Sequence, residues 1–134
     1  MFDSLETSAT GLTAQRIRMD TIAANLANLN TTRDETGKLA PYRRRFVVFS
    51  AGAAQDTSKP GVHVQRIDFD NSPFRRVYDP GNADAGPDGY VVYPNVDMTI
   101  EQVNALEASR AYEANVTMME TTKAMINATL RLIA

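Results

Sequence analysis

The sequence predicts an α+β protein in which long N- and C-terminal helices pair as a coiled-coil-like hairpin and carry a small β-rich insert between them. Two observations lead there. Apolar residues recur at heptad spacing near both ends of the 134-residue chain, whereas all six prolines and every glycine except Gly11 fall in its middle or at the edges of that middle. Residues 1–32 and 96–134 are therefore assigned to a terminal helical unit and residues 33–95 to the insert, in a chain short enough for one domain.

From the N-terminus, Asp3 and Glu6 stand at capping-box spacing, and Leu5, Leu12, Met19 and Leu26 follow seven residues apart with Ile22 and Leu29 beside them. One amphipathic helix from Ser4 to Asn30 is predicted, about 40 Å long at about 1.5 Å per residue. β-Branched and aromatic runs bounded by turn residues then predict strands at Tyr42 to Phe49, Val62 to Phe69, Phe74 to Tyr78 and Tyr90 to Tyr93, forming a small antiparallel sheet. Within the second run, Val62 and Val64 share one parity while Ile67 and Phe69 share the other, which predicts a bulge or an edge position. Small and polar residues from Ala51 to Lys59 predict a mobile loop.

After Pro94 and Asn95 the chain runs to Ala134 without Gly or Pro, so a second helix of similar or greater length is predicted. Its apolar residues form two adjacent rows. Tyr112, Met119, Ile126 and Ile133 make one, Met118, Met125 and Leu132 the other, and Val116 and Leu130 widen the face. A face that wide suits more than one partner helix, so an isolated chain is expected to have frayed ends.

Composition narrows the function classes. With 43% apolar residues the chain can build a modest core, and a formal charge of −2 from 14 basic and 16 acidic residues spread along it directs it toward neither nucleic acid nor anionic lipid. The absence of cysteine excludes a disulfide framework, thiolate zinc sites and a cysteine nucleophile. Charged residues interrupt the first 24 positions, so cleavage of a secretory leader is not expected, and no apolar run is long enough for direct membrane insertion.

Catalytic chemistry finds little support. The one histidine, His63, lies between Val62 and Val64 in a predicted strand and reads as an ordinary surface residue. Neither a nucleophile elbow, a phosphate-binding loop nor a zinc-protease motif occurs. In the acidic loop from Asp79 to Gly89, the oxygens of Asn82, Asp84 and Asp88 suggest calcium, but an EF-hand register opening at Asn82 or Asp84 places Tyr93 or Asn95 where a bidentate Glu is required. A solvated turn cluster is the better reading, and no cofactor or metal is expected. Arg43, Arg44, Arg45, Arg75 and Arg76 sit on predicted strands whose alternation splits each run, which favours cross-strand or intersubunit salt bridges over phosphate binding. Glycosylation-type triplets begin at Asn30, Asn115 and Asn127, but two of them fall inside a predicted helix and read as chance.

Asparagines near the end of the first helix are the unusual feature. Ala23-Ala-Asn-Leu-Ala-Asn-Leu-Asn-Thr-Thr32 mixes small residues with amides, and there Asn25 and Asn28 have the chemistry to hydrogen-bond across a close helix contact. An Asn cap accounts for Asn30 but less well for Asn25. In an antiparallel hairpin these amides would meet Tyr112 and Asn115 at one end. The candidate assembly surface is thus Leu12, Met19, Ile22, Asn25, Leu26, Asn28 and Leu29 on the first helix, with Tyr112, Asn115, Val116, Met118, Met119, Met125, Ile126 and Leu130 on the second.

Ser8-Ala-Thr-Gly-Leu-Thr-Ala-Gln15, Ala24-Asn-Leu-Ala-Asn28 and Thr31-Thr32 resemble the N-terminal signature of the bacterial flagellar rod and hook protein family, and Arg110-Ala-Tyr-Glu-Ala-Asn115 is similar to its C-terminal signature. Pro41-Tyr-Arg-Arg44, Gly61-Val-His-Val64, Asp70-Asn-Ser-Pro-Phe-Arg75, Tyr78-Asp-Pro-Gly81 and Gly89-Tyr-Val-Val-Tyr-Pro-Asn-Val96 resemble its proximal rod members. Asn82-Ala83 and Gln102 depart from that pattern, at His-Pro and Met respectively. The resemblance implies a structural, non-enzymatic subunit of the basal body, exported by the flagellar type III apparatus. In the periplasmic rod it would stack helically on copies of itself and other rod proteins and transmit torque. A soluble helical adaptor that folds on a single protein partner is the alternative.

Overall fold

The computed structural model describes residues 1–134. Helix α1 (Phe2–Ala27) is followed by β1 (Arg45–Ala51), β2 (Val62–Phe69), β3 (Arg75–Tyr78), β4 (Tyr90–Tyr93) and helix α2 (Met98–Ile133). Both terminal helices and all four strands are present and the α+β class holds, although β1 begins at Arg45 rather than Tyr42 and runs on to Ala51.

The helix ends show which local chemistry operates. Asp97 caps α2 by accepting the backbone N–H groups of Thr99 and Ile100 at 2.9 and 3.1 Å. At α1 the expected capping box does not form, because the helix already begins at Phe2 with Met1 as its uncapped N-cap. Asp3 therefore lies inside the first turn, where its charge favours the positive end of the helix dipole. Closure of α1 comes earlier than Asn30: Asn28 is the C-cap, and its amide donates to the Ala24 carbonyl at 2.8 Å.

The two helices run antiparallel, as contacts between Asn25 and Glu101 and between Gly11 and Asn115 show. Both pairs share one register, which places Phe2 opposite Ala124. The last turns of α2 therefore extend past the start of α1. On α2 the facing row is Glu101, Ala108, Tyr112, Asn115, Met119 and Thr122, all buried or half-buried. On α1 it is Ser8, Gly11, Gln15, Arg18, Ile22 and Asn25. The Leu5, Leu12, Met19 and Leu26 row flanks this seam half-exposed rather than forming it. Backbone approach explains the small residues: a Cβ on Gly11 would stand 2.8 Å from the Asn115 amide nitrogen.

The insert forms two antiparallel ribbons, β1 with β2 and β3 with β4, not one sheet. Asp70 ends β2 by accepting the Ser72 N–H and hydroxyl, at 2.9 and 2.5 Å, and Pro73 follows. That turn redirects the chain before β3 can pair with β2. The predicted bulge is present. Val48 pairs with Arg66 and Phe49 with Val64, so Gln65 is the extra residue and reconciles the two parities of β2. The β1–β2 ribbon packs on α1, whereas α2 packs on no strand. The loop between β1 and β2 is closed by the Gly52 N–H on the Gly61 carbonyl and by the Ala53 N–H on the Lys59 carbonyl.

The acidic loop 79–89 is tied to the exit of α1, where Asp84 accepts Thr32 Oγ1 at 2.6 Å and Arg33 Nε at 2.7 Å. These bonds hold the Asp84 carboxyl below its ordinary pKa, and the Ser72 hydroxyl does the same chiefly for Asp70. His63 also serves the ribbon: its Nδ1 lies 2.8 Å from the Gly52 carbonyl, so Nδ1 carries the proton.

Only 14 of 134 residues are buried, and the exposed surface is 9035 Å². A compact monomer of 14.7 kDa would expose about 6,900 Å². The excess is what an elongated subunit leaves for neighbours.

Gly11→Leu should lower stability by about 1–3 kcal/mol through overpacking, while Gly11→Ala should be near neutral because Asn115 can move and the helix gains propensity. Urea unfolding followed by circular dichroism measures both. Since Asp70 and Asp84 titrate lower in the folded state, the stability they contribute is complete above their ordinary value of 3.8 and is lost as pH falls below it. Thermal melts from pH 5 down to pH 2 should show that loss, and Asp84→Asn should reduce it.

Candidate assembly interface

Asn25 occupies the seam with 1% exposure. Its Oδ1 accepts the Arg45 N–H and the Tyr42 hydroxyl, both at 3.0 Å, and its Nδ2 donates to the Arg45 carbonyl at 2.8 Å and to Glu101 at 3.2 Å. All four hydrogen-bonding positions of the amide are filled, two of them by the backbone of one residue entering β1. The side chain thus takes the place of a neighbouring strand and fixes α1 to the insert.

Glu101 extends the network to α2. Its side chain is 1% exposed and its charge is matched by Arg44 Nε, while Arg44 Nη1 also reaches Asp70 at 3.3 Å. Asn95 accepts the Arg44 N–H at 2.8 Å and donates to the Asp70 and Ser72 carbonyls at 2.9 and 3.1 Å. Burial pushes the Tyr42 phenol above its ordinary pKa despite nearby Arg45, and Glu101 pushes it further the same way. Tyr42 stays a donor throughout the physiological range.

The other arginines of the Arg43–Arg45 and Arg75–Arg76 runs are also occupied within the chain. Arg76 pairs with Asp88, Arg43 lies 4.4 Å from the Phe74 ring centroid and Arg75 lies 5.1 Å from that of Tyr93. No cluster of three or more acidic, His or Cys side chains is arranged to hold a metal ion. No helix is long and apolar enough to cross a membrane.

The structure divides the predicted surface. Asn25 and Ile22 are buried inside the subunit, and the Asn25 amide has no capacity left for a neighbour. Asn28 is a helix cap. Asn115 donates to Ala111 at 3.0 Å and packs on Gly11, not beside Asn25. Fourteen residues of α1 separate Gly11 from Asn25, about 21 Å along a helix, so the two asparagine patches do not meet at one end. Tyr112, Met119 and Ile126 face the seam half-buried, and Leu12, Met19, Leu26, Leu29 and Val116 flank the hairpin half-exposed. Met118, Met125 and Leu130 are open at 54%, 56% and 58%. Sequence reasoning missed Glu101, Tyr42 and the Arg45 backbone as partners of Asn25, and Arg44 and Asn95 as the next links of the network; the one available signal was the heptad row of small and polar residues Glu101, Ala108, Asn115 and Thr122.

A long-helix hairpin with a thin polar seam, an unpaired apolar row and a rigidly attached β insert defines a structural subunit of an assembly. The N-terminal region, residues 5–33, matches the flagella basal body rod protein family model. Residues 88–132 match the model of the flagellar basal body rod FlgEFG protein C-terminal region. The chain is 43% identical to the flagellar basal-body rod protein FlgC of Bacillus subtilis, over 93% of each chain. Identity to the FlgC proteins of Borreliella burgdorferi and Escherichia coli O6:H1 is 37% and 39%, over 99% and 98% of this chain and 97% of each relative.

The chain belongs to the FlgC family of flagellar basal-body rod proteins. It is a structural protein of the flagellar basal-body rod and not an enzyme, and its family implies assembly with other flagellar rod proteins.

Asn25→Leu should destabilise the isolated subunit by at least about 3 kcal/mol, because each stranded buried group costs about 1–3 kcal/mol. Asn25→Asp should also destabilise it, since a second carboxylate would face Glu101. Urea midpoints of purified monomers test both; unchanged midpoints would show that the amide acts only between subunits.

Proposed function

We propose that this chain is a proximal rod subunit that leaves the cell through the flagellar type III export apparatus and stacks helically in the periplasm on copies of itself and other rod proteins. In this reading residues 1–32 and 96–134 form the assembly unit, and the 33–95 insert wedges between neighbours and shares the torque.

One observation carries the proposal: α2 has two apolar rows, and its own chain half-covers one of them from Tyr112 to Ile126 and leaves the other open. Tyr112 and Met119 lie toward α1, while Met118, Met125 and Leu132 are 54%, 56% and 88% exposed. A row of that kind is costly in water and gains stability on burial against another helix. The absence of disulfides and the thin core suit passage as an unfolded chain, since little free energy opposes unfolding.

Met118→Asp with Met125→Asp should cost the monomer only about 1 kcal/mol, through helix propensity, because both sites are exposed, yet should abolish swimming and rod recovery. Swimming plates, basal-body fractionation and monomer melts test this together. Normal rods in the double variant would remove the outer row from the assembly surface.

A further inference from the structure

We infer that the cleft between the N-terminal half of α1 and the β1–β2 loop receives the last turns of α2 from a second copy of this chain. The inference rests on the subunit reading above and gives that subunit a directional joint.

The cleft has a volume of about 570 Å³, within the range of sites that enclose several side chains. Its apolar wall includes Ile17, Val62 and Val64, and its rim carries Glu6, Asp56 and Lys59. The end of the loop that enters β2 is tied to α1. Val62 N–H donates to Thr10 Oγ1 at 3.2 Å, and Gly61, at φ 146°, approaches so closely that a Cβ there would stand 2.8 Å from the same oxygen. The wall is thus set by backbone geometry and does not depend on an occupant.

The α2 tail is complementary in polarity and charge. Leu130, Leu132 and Ile133 are 58%, 88% and 78% exposed. Residues 121–133 contain Lys123 and Arg131 and no acid, whereas the cleft rim carries two acids and one base. Glu6, Asp56, Lys59 and Arg131 take no part in the six ion pairs within the chain. Both features lie at the end of the hairpin where α1 begins. A chain cannot fill its own cleft, because α2 stays helical to Ile133 and points past that end. The occupant must come from another subunit, and the α2 tail of a second copy supplies the apolar and basic side chains the cleft matches. Where the neighbour's tail does not return into the first subunit's cleft, the contact is heterologous and propagates when its geometry does not close.

The chain has no cysteine, so Thr13→Cys on the cleft lip and Leu132→Cys on the tail report this contact alone. Rods isolated from cells producing the double variant should give a ladder of disulfide-linked chains on non-reducing gels, and each single variant should not. A tagged Thr13→Cys chain mixed with a Leu132→Cys chain should give the mixed dimer above random pairing. Arg131→Glu should remove that excess, and Glu6→Arg should restore at least half of it. Intact rods without a ladder, together with random pairing in solution, would overturn the joint while leaving the rod-subunit reading in place. Loss of that reading would show instead as normal rods in the outer-row variant above.

Discussion

The geometry of the subunit depends on one buried amide. Asn25 bonds both polar groups of the Arg45 backbone and also reaches Glu101 and Tyr42, so α1, the entry to β1 and α2 meet at one side chain. A buried polar network of this kind adds little net stability when complete and costs much when broken. Its value is positional. Hydrophobic contact alone would let the helices slide, because the seam between Gly11 and Asn115 is made of small and polar side chains with few interlocking shapes. The network sets one register.

The polar seam has a cost visible elsewhere. Gln15 Oε1 is buried without a hydrogen-bond partner, and Arg18 reaches Glu107 only at 3.3 Å across a largely exposed surface. A hairpin of this composition gains modest stability from its own chain. Its best apolar groups, Met118, Met125, Leu130 and Leu132, contribute little until something else covers them.

Periodicity made the architecture legible. The two heptad rows of α2 are distinct surfaces in the structure, and the changed parity within Val62 to Phe69 is resolved by the bulge at Gln65. What failed were inferences about partners. A heptad row identifies an apolar stripe but not what lies opposite, so the Leu5, Leu12, Met19 and Leu26 row was an obvious seam that the close approach at Gly11 displaced. Similarly, an amide in a helix shows hydrogen-bonding capacity without naming its partner. Asn25 looked like an intermolecular contact because its acceptor is a backbone 20 residues away and its carboxylate partner 76 away. Strand positions were readable, but one sheet became two ribbons through the turn at Asp70 and Pro73, whose direction depends on tertiary ties to Asn95 and Arg44.

Because α2 packs on no strand, mechanical load passing between it and the β insert travels by the chain connection at residues 94–97, the α1 seam and the Arg44–Glu101 pair. The seam runs lengthwise and resists bending. The connection and the ion pair both join the insert to α2 at its N-terminal end, where together they can act as a pivot. A subunit built in this way is stiff along its axis and more compliant in twist, so strain from a turning neighbour would concentrate in the 94–97 connection and at Arg44 before it reached the helices.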